Sequence, residues 1–367
     1  MNLLNILACV VVSAIFTAWF IPKILLISYQ KNLFDFENER KVHKGIVPRL
    51  GGVAFVPSII ISVAFIIGMN NIFKSDVVSR TFDVSQAAFG LCSIFVLYFE
   101  EIMDDLVGLR YRHKFLIQIL CAALIVLSGV WITNLNGLFG INELPYYIAI
   151  PFTMLVIVFL INAINLIDGI DGLASGLSIV ATFFFGVLFY SLGVYGCSAL
   201  AFATFGTLCP FFLYNVFGNA DKRHKIFMGD TGSQCIGLIL GYLAIRLTMY
   251  NHLIGTEVSG SIILAFSILI VPSFDVIRVM IHRAKNHKNL FISDRNHIHH
   301  KLLNLGLPHK VAMVSILLFS MFFIVLNMLL LPYVNVNIIL GLDILIWTVC
   351  HIFLTREIKR RNPEIQD

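Results

Sequence analysis

Charge is what this sequence has least of: Asp, Glu, Lys and Arg make up 13% of its 367 residues, against 58% hydrophobic. A water-facing surface takes about a quarter charged residues. A soluble globular enzyme is therefore excluded, and a mean hydropathy of +0.88 agrees. Disorder and fibrous repeats fall on the same figures. Excess charge of one sign is also lacking: 26 Lys and Arg against 21 Asp and Glu leave +5, too little for a nucleic-acid binder. The seven cysteines, Cys9, Cys92, Cys121, Cys197, Cys209, Cys235 and Cys350, form no CxxC or metal-ligand spacing and read as small buried hydrophobes. The first apolar run reads better as an uncleaved span than as a signal peptide, because it is too long and lacks a basic segment before it and a clean A-x-A site. No internal repeat of the kind many transporters carry is evident.

Long apolar runs, by contrast, are abundant. A spanning helix takes about 20 mainly apolar residues, and eleven stretches qualify: roughly 2–27, 51–69, 85–103, 115–132, 146–167, 172–192, 197–217, 231–249, 259–281, 311–332 and 335–354. The expectation is an all-α, polytopic transmembrane bundle of about 11 spans forming a single domain over 1–367. Alternate connections, starting with 28–50, together with the C-terminal tail hold 21 of the 26 Lys and Arg. The positive-inside rule then places the N-terminus outside and the C-terminus in the cytoplasm.

In this topology Asp104, Asp105, Asp168, Asp171, Asp230, Asp275 and Asp294 fall on the cytoplasmic side. Carboxylates near a bilayer are costly unless paired, metal-bound or lining a wet cavity, so they are functional candidates. Their gathering on one side suggests one site facing one compartment. A transport path would place them at mid-depth.

Four segments carry the chemistry. In Asn162–Leu173 (NAINLIDGIDGL), Asn165, Asp168 and Asp171 recur every third residue, a spacing that can set their oxygens on one helical face. Helix capping accounts for one such residue, not for the set. After the third stretch come the adjacent acids Asp104 and Asp105, then Arg110, Arg112, His113 and Lys114; paired carboxylates suit a general base or a divalent metal, and the bases suit phosphates. In Phe227–Ser233 (FMGDTGS), an acid between glycines precedes a helix, which suits a cation bound beside an anion. In Asp294–His300 (DRNHIHH), three histidines in four positions lack structural-zinc spacing and cysteine partners; with the basic residues around them they favour anion binding. Together these elements call for phosphoryl chemistry at the cytoplasmic face, in loops near 28–50, 104–114, 165–172, 218–233 and 283–310, with a lipid as one substrate.

NAINLIDGIDGL, MDD, FMGDTGS, HKGIVPRLGG (His43–Gly52) and DRNHIHH in this arrangement resemble the polyprenyl-phosphate N-acetylhexosamine-1-phosphate transferases, the glycosyltransferase family 4 type. The nearest branch is similar to the bacterial undecaprenyl-phosphate GlcNAc-1-phosphate transferases that begin O-antigen-like polysaccharides. Ile298 interrupts the three-histidine run usual in the peptidoglycan branch. The resemblance implies an inner-membrane, Mg²⁺- or Mn²⁺-dependent reaction of a UDP-N-acetylhexosamine with undecaprenyl phosphate, giving the diphospho-linked sugar and UMP. It implies Asp230 and Asn165 as metal ligands, and Asp104 and Asp105 as groups that position or deprotonate the lipid phosphate. Asp168, Asp171, Asn215 and Phe227 would lie around the nucleotide, Lys44 and Lys114 near nucleotide or phosphates, and His297, His299, His300 and Arg295 on the pyrophosphate or sugar side. Direct in-line attack is the preferred route and an aspartyl intermediate the alternative. The rival functions are the phospho-MurNAc-pentapeptide transferase of peptidoglycan synthesis and a transporter of lipid-linked substrates. Bundles of this sort often pair through apolar faces, which leaves the oligomeric state open between a monomer and a homodimer.

Overall fold

A computed structural model describes residues 3–34, 47–72, 83–250, 260–287 and 296–361. Among these, the elements in chain order are α1 (Leu3–Lys31), a 3-10 turn (Leu50–Ala54), α2 (Phe55–Ile72), α3 (Val84–Val107), α4 (Tyr111–Leu127), β1 (Asn134–Leu138), β2 (Ile141–Glu143), α5 (Tyr146–Ile167), α6 (Leu173–Ser191), α7 (Tyr195–Phe217), α8 (Gly229–Thr248), α9 (Ser261–Ile268), α10 (Ile270–Lys285), α11 (Ile298–Asn304), α12 (His309–Leu330) and α13 (Val336–Arg361). The protein is an all-α polytopic membrane protein, and each of the eleven apolar stretches coincides with helix. Eight described helices are long and apolar enough to cross a membrane, nine if a bent pair counts as one span.

The remaining two, α4 and α8, are informative. α4 has only 17 residues. α8 carries Thr, Ser and Gln along its length, yet nearly all of it is buried against α3, α5, α6 and α9. A helix sheathed by other helices does not meet lipid and need not be apolar throughout. The outer helices show the opposite distribution, with Leu4, Ile15, Leu155, Leu213, Leu318 and Phe353 all exposed. Exposed apolar faces around a buried, partly polar centre are what a bilayer solvent selects.

Small residues set the closest crossings. A Cβ on Gly237 would lie 2.7 Å from Cα of Ile161, so α8 and α5 touch backbone to backbone there. Ser62 on α2 donates to the carbonyl of Cys9 on α1 at 2.7 Å. The β1–β2 hairpin packs on α13 through Asn337, which donates to the carbonyl of Gly137 and accepts from the amide of Phe139.

The stretch 259–281, expected as one span, is broken. α9 and α10 meet at an angle of 78° after a single intervening residue, Leu269. Pro272, in the first turn of α10, has no N–H to give to the carbonyl of Ile268, so the α-helical ladder cannot continue across the junction.

Candidate active site

The chain's polar residues converge where α3, α5, α8 and α10 end or begin. The first turn of α8 holds the arrangement together. Met228, at its N-cap position, provides no side-chain cap, and a helix start leaves several backbone N–H groups without partners. Asp105 supplies the acceptor from α3. Its Oδ1 accepts the N–H of Asp230 at 2.9 Å, and its Oδ2 accepts the N–H and Oγ1 of Thr231 at 3.0 and 2.6 Å. Gly229 has φ +72°, and a Cβ there would lie 2.7 Å from Oδ2 of Asp105. Only glycine lets the carboxylate in so closely.

A strap formed by residues 47–54 closes the other side of this turn. The amide of Phe227 donates to the carbonyl of Pro48, Gly51 donates to Phe227 and Gly52 donates to Met228. A Cβ on Gly52 would stand 2.1 Å from the amide nitrogen of Gly232. The adjacent glycines of HKGIVPRLGG thus permit backbone-to-backbone contact with FMGDTGS. Tyr98 fastens the strap through its hydroxyl to the carbonyl of Val53 at 2.9 Å. Lys44 and Arg295 lie outside the described residues.

At the centre stands Lys114. Its Nζ is 2.6 Å from Asp230, 2.8 Å from Asp104 and 3.2 Å from Glu101. Burial would lower the lysine's pKa, but Asp230 and Glu101 outweigh it, so the ammonium is held charged. In return Lys114, with Asn165 donating to Oδ1 of Asp230 at 3.1 Å, keeps the Asp230 carboxyl below the usual range against the cost of its own burial. Asn165 also donates to Oγ of Ser233 at 2.9 Å.

Oxygens of Glu101, Asp104 and Asp230 lie within 4.8 Å of one another, close enough for one cation. Glu101 is fully buried, and its Oε1 has no hydrogen-bond partner. A buried, unpartnered carboxylate oxygen beside two others is a donor set that fits a hard divalent cation.

Glu101 went unnoticed in the sequence because it sits inside an apparent span. The signal was available: in FEEIMDD, Glu101 precedes Asp104 by three residues and Asp105 by four, hence shares their helix face. Behind it runs a buried amide chain. Asn162 donates to Gln118, Gln118 to Gln234, and Gln234 to Oε2 of Glu101, each at 2.7 Å.

The α5–α6 turn forms a second wall. Asp168 opens onto the cleft; crowding by surrounding protein, then the like charges of Asp230 and Asp171, push its carboxyl up to about 7, with Arg49 opposing. Asp171 pairs with Lys225 at 2.5 Å. Asn215, assigned from sequence to the nucleotide, is buried with both ends of its amide engaged: it accepts from Gly172 at 2.6 Å and donates to the carbonyl of Ile226 at 2.9 Å. It braces the wall from behind. Phe227 is half-buried, with Lys225 5.9 Å from its ring centroid.

The histidines arrive on α11. Asp275 on α10 accepts from Nδ1 of His297 at 2.8 Å and from the amide of Ile298 at 2.9 Å, so one carboxylate orients the ring and caps the helix. His299 is almost wholly buried on the α5–α6 turn, where a Cβ on Gly169 would lie 2.1 Å from its Nε2. Burial first, then the neighbouring His300, lowers its pKa to about 3, so the ring is neutral. His300 lies against it, with ring centroids 4.2 Å apart.

This gathers, at one end of the bundle, an acid cluster around Lys114 with the α5–α6 turn and His299 beside it. Residues 87–248 match the glycosyl transferase family 4 model. A Bacillus subtilis (strain 168) protein named "Probable undecaprenyl-phosphate N-acetylglucosaminyl 1-phosphate transferase" is 32% identical, over 88% of this chain and 84% of its own length. Proteins of Yersinia pestis and Escherichia coli (strain K12) named undecaprenyl-phosphate alpha-N-acetylglucosaminyl 1-phosphate transferase are 30% and 28% identical, each over 87% of this chain and 82% of their own. With such extended similarity, the chain belongs to glycosyl transferase family 4.

Proposed function

We propose that the protein transfers N-acetylglucosamine 1-phosphate from UDP-GlcNAc to undecaprenyl phosphate, releasing UMP, at the cytoplasmic face of the bacterial inner membrane. This would be the first membrane step of an O-antigen-like polysaccharide. The carrying observation is the Glu101–Asp104–Asp230 cluster around Lys114 at one end of a membrane bundle, in a chain whose relatives bear that name.

In this reading an oxygen of the lipid phosphate attacks the sugar-bearing phosphorus of the donor. The bond from that phosphorus to the bridging oxygen breaks, and UMP leaves with the electron pair. The acceptor phosphate is already anionic, so direct attack takes little activation by a base. Glu101, Asp104 and Asp230 would hold Mg²⁺ or Mn²⁺, which when bound neutralises charge on the diphosphate. Lys114 keeps the carboxylates together and offers a cation to the phosphates. Asp105 does not face a substrate here; it fixes the turn on which Asp230 stands. Lys225 and Asp171 would flank the nucleotide side, and His297, held by Asp275, would lie on the sugar-phosphate side. The lipid tail would leave the cleft along the exposed apolar faces of the outer helices.

The test is a panel of UDP-sugars offered to purified protein with undecaprenyl phosphate and Mg²⁺, with extracted lipid products identified by mass spectrometry. A UMP-forming reaction that needs the lipid, the metal and UDP-GlcNAc is expected, as is its loss in Asp230→Asn. Turnover with UDP-MurNAc-pentapeptide in place of UDP-GlcNAc would overturn the choice of donor. Normal turnover in Asp230→Asn would overturn the site.

A further inference from the structure

Away from the acid cluster, α10, α11 and α13 line an open hollow of about 440 Å³ that the transfer reaction leaves unused. Two helices turn basic stripes toward it. On α10, Arg278, His282 and Lys285 recur at the four- and three-residue steps of one helical face. On α13, His351, Thr355 and Lys359 recur every four residues, with Arg356 beside them. Lys301 enters from α11 and donates to Oγ1 of Thr355 at 2.8 Å. No Asp or Glu is among the described residues that line the cavity. Of the described acids nearby, Asp275 pairs with the lining Arg278 and with His297, and Glu357 pairs with Arg360 and Arg361.

A second observation comes from His351. Its side chain is buried, the residue only 5% exposed, and neither ring nitrogen has a hydrogen-bond partner. Buried polar atoms are seldom left this way unless something else completes them. Arg278 is already paired with Asp275, while Lys285 and Arg356 add exposed positive charge at the rim of the hollow. The cavity's apolar side, Ile281, Trp347 and Ile352, runs into exposed Ile277, Val349 and Phe353 on the lipid-facing flanks of α10 and α13. Its ligand therefore has a phosphate-like head and hydrocarbon beside it. Basic pockets between membrane helices are suited to such heads.

We propose that this cavity binds the phosphate of an anionic glycerophospholipid from the surrounding leaflet. Arg278, Lys285, Lys301, Arg356 and Lys359 surround the charge, and His351 donates one ring N–H to it. The lipid is a bound component of the membrane protein, separate from the acceptor consumed in the cleft.

The experiment reads binding without turnover, so its outcome is independent of the donor and acceptor of the transfer reaction. Full-length protein in mild detergent is titrated with phosphatidylglycerol and with phosphatidylcholine of matched chains, and adducts are counted by native mass spectrometry. Phosphatidylglycerol should bind the wild type and raise its thermal midpoint; phosphatidylcholine should do neither. In Lys285→Gln/Arg356→Gln, whose altered side chains are exposed, phosphatidylglycerol affinity should fall by about tenfold or more, since each basic group near a phosphate surface contributes about a fivefold factor. Lys285→Arg/Arg356→Lys should restore it. Equal phosphatidylglycerol retention in wild type and the Gln variant would overturn the proposal. So would protection by inorganic phosphate alone, or displacement of the phospholipid by equimolar undecaprenyl phosphate.

Discussion

Both carboxylate oxygens of Asp105 are spent on the helix turn that carries Asp230: one accepts the Asp230 amide at 2.9 Å, and the other accepts the amide and hydroxyl of Thr231. A residue that reads in sequence as half of a reactive acid pair is, in three dimensions, a helix cap delivered from another helix. Removing it by Asp105→Ala should cost about 2 kcal/mol of stability, as for hydrogen bonds to a charged group. Thermal midpoint and turnover should fall together. Loss of turnover with an unchanged midpoint would instead place Asp105 in contact with substrate.

Lys114 neutralises three carboxylates at once. In Lys114→Met those carboxylates repel one another without compensation, so the folded protein gains more from a divalent cation. The rise in thermal midpoint produced by Mn²⁺ should be larger in the variant than in the wild type, while turnover is lost. A Mn²⁺ response equal to that of the wild type would argue against cation binding by Glu101, Asp104 and Asp230.

Gln234 lies buried between Gln118 and Glu101. Gln234→Leu leaves the Gln118 amide without its acceptor and Glu101 with Lys114 alone, a loss of about 2 kcal/mol for buried groups. Because Gln234 is sealed from the cleft, kcat should drop while KM for the donor stays near its original value. A rise in KM alone would contradict this positioning role.

His299 gives the protein an acid-sensitive element. Its folded pKa, about 3, lies below the ordinary value of 6.5. The neutral ring favours the fold above pH 6.5, and that contribution is lost as pH falls from 6.5 toward 3. Each unit in that window costs about 1 kcal/mol. The thermal midpoint should therefore fall between pH 6.5 and 4.5, and His299→Asn should flatten that slope. Gly169→Ala, whose new methyl meets the ring, should flatten it as well by unseating the histidine, at the expense of turnover. Unchanged slopes in both variants would remove His299 as the cause.

Much of this organisation was legible one residue at a time. Apolar runs gave every membrane helix because their period and length are local properties. Asp104, Asp168, Asp171 and Asp230 stood out because an acid beside a long apolar run is conspicuous. Three features were not local. The partnership of Asp105 with the α8 turn joins residues 125 and 126 positions apart. Glu101 was hidden because a span boundary placed by hydropathy enclosed it. The break between α9 and α10 was concealed by apolar residues on both sides of Leu269, although Pro272 marked it. Asn215 shows the converse: a polar residue in a suggestive place, consumed by two backbone groups.

The sheathing of α8 has a physiological consequence. A bacterium that alters acyl-chain length or saturation changes the environment of the outer helices, which tilt or shift to match it. The helix bearing Asp230 touches protein on nearly every side and meets α5 backbone to backbone at Gly237. Such remodelling would reach Asp230 only through the surrounding helices, whereas Glu101 and Asp104 ride on α3, whose Phe95, Phe99 and Met103 are exposed, so the two halves of the acid cluster are coupled unequally to the membrane.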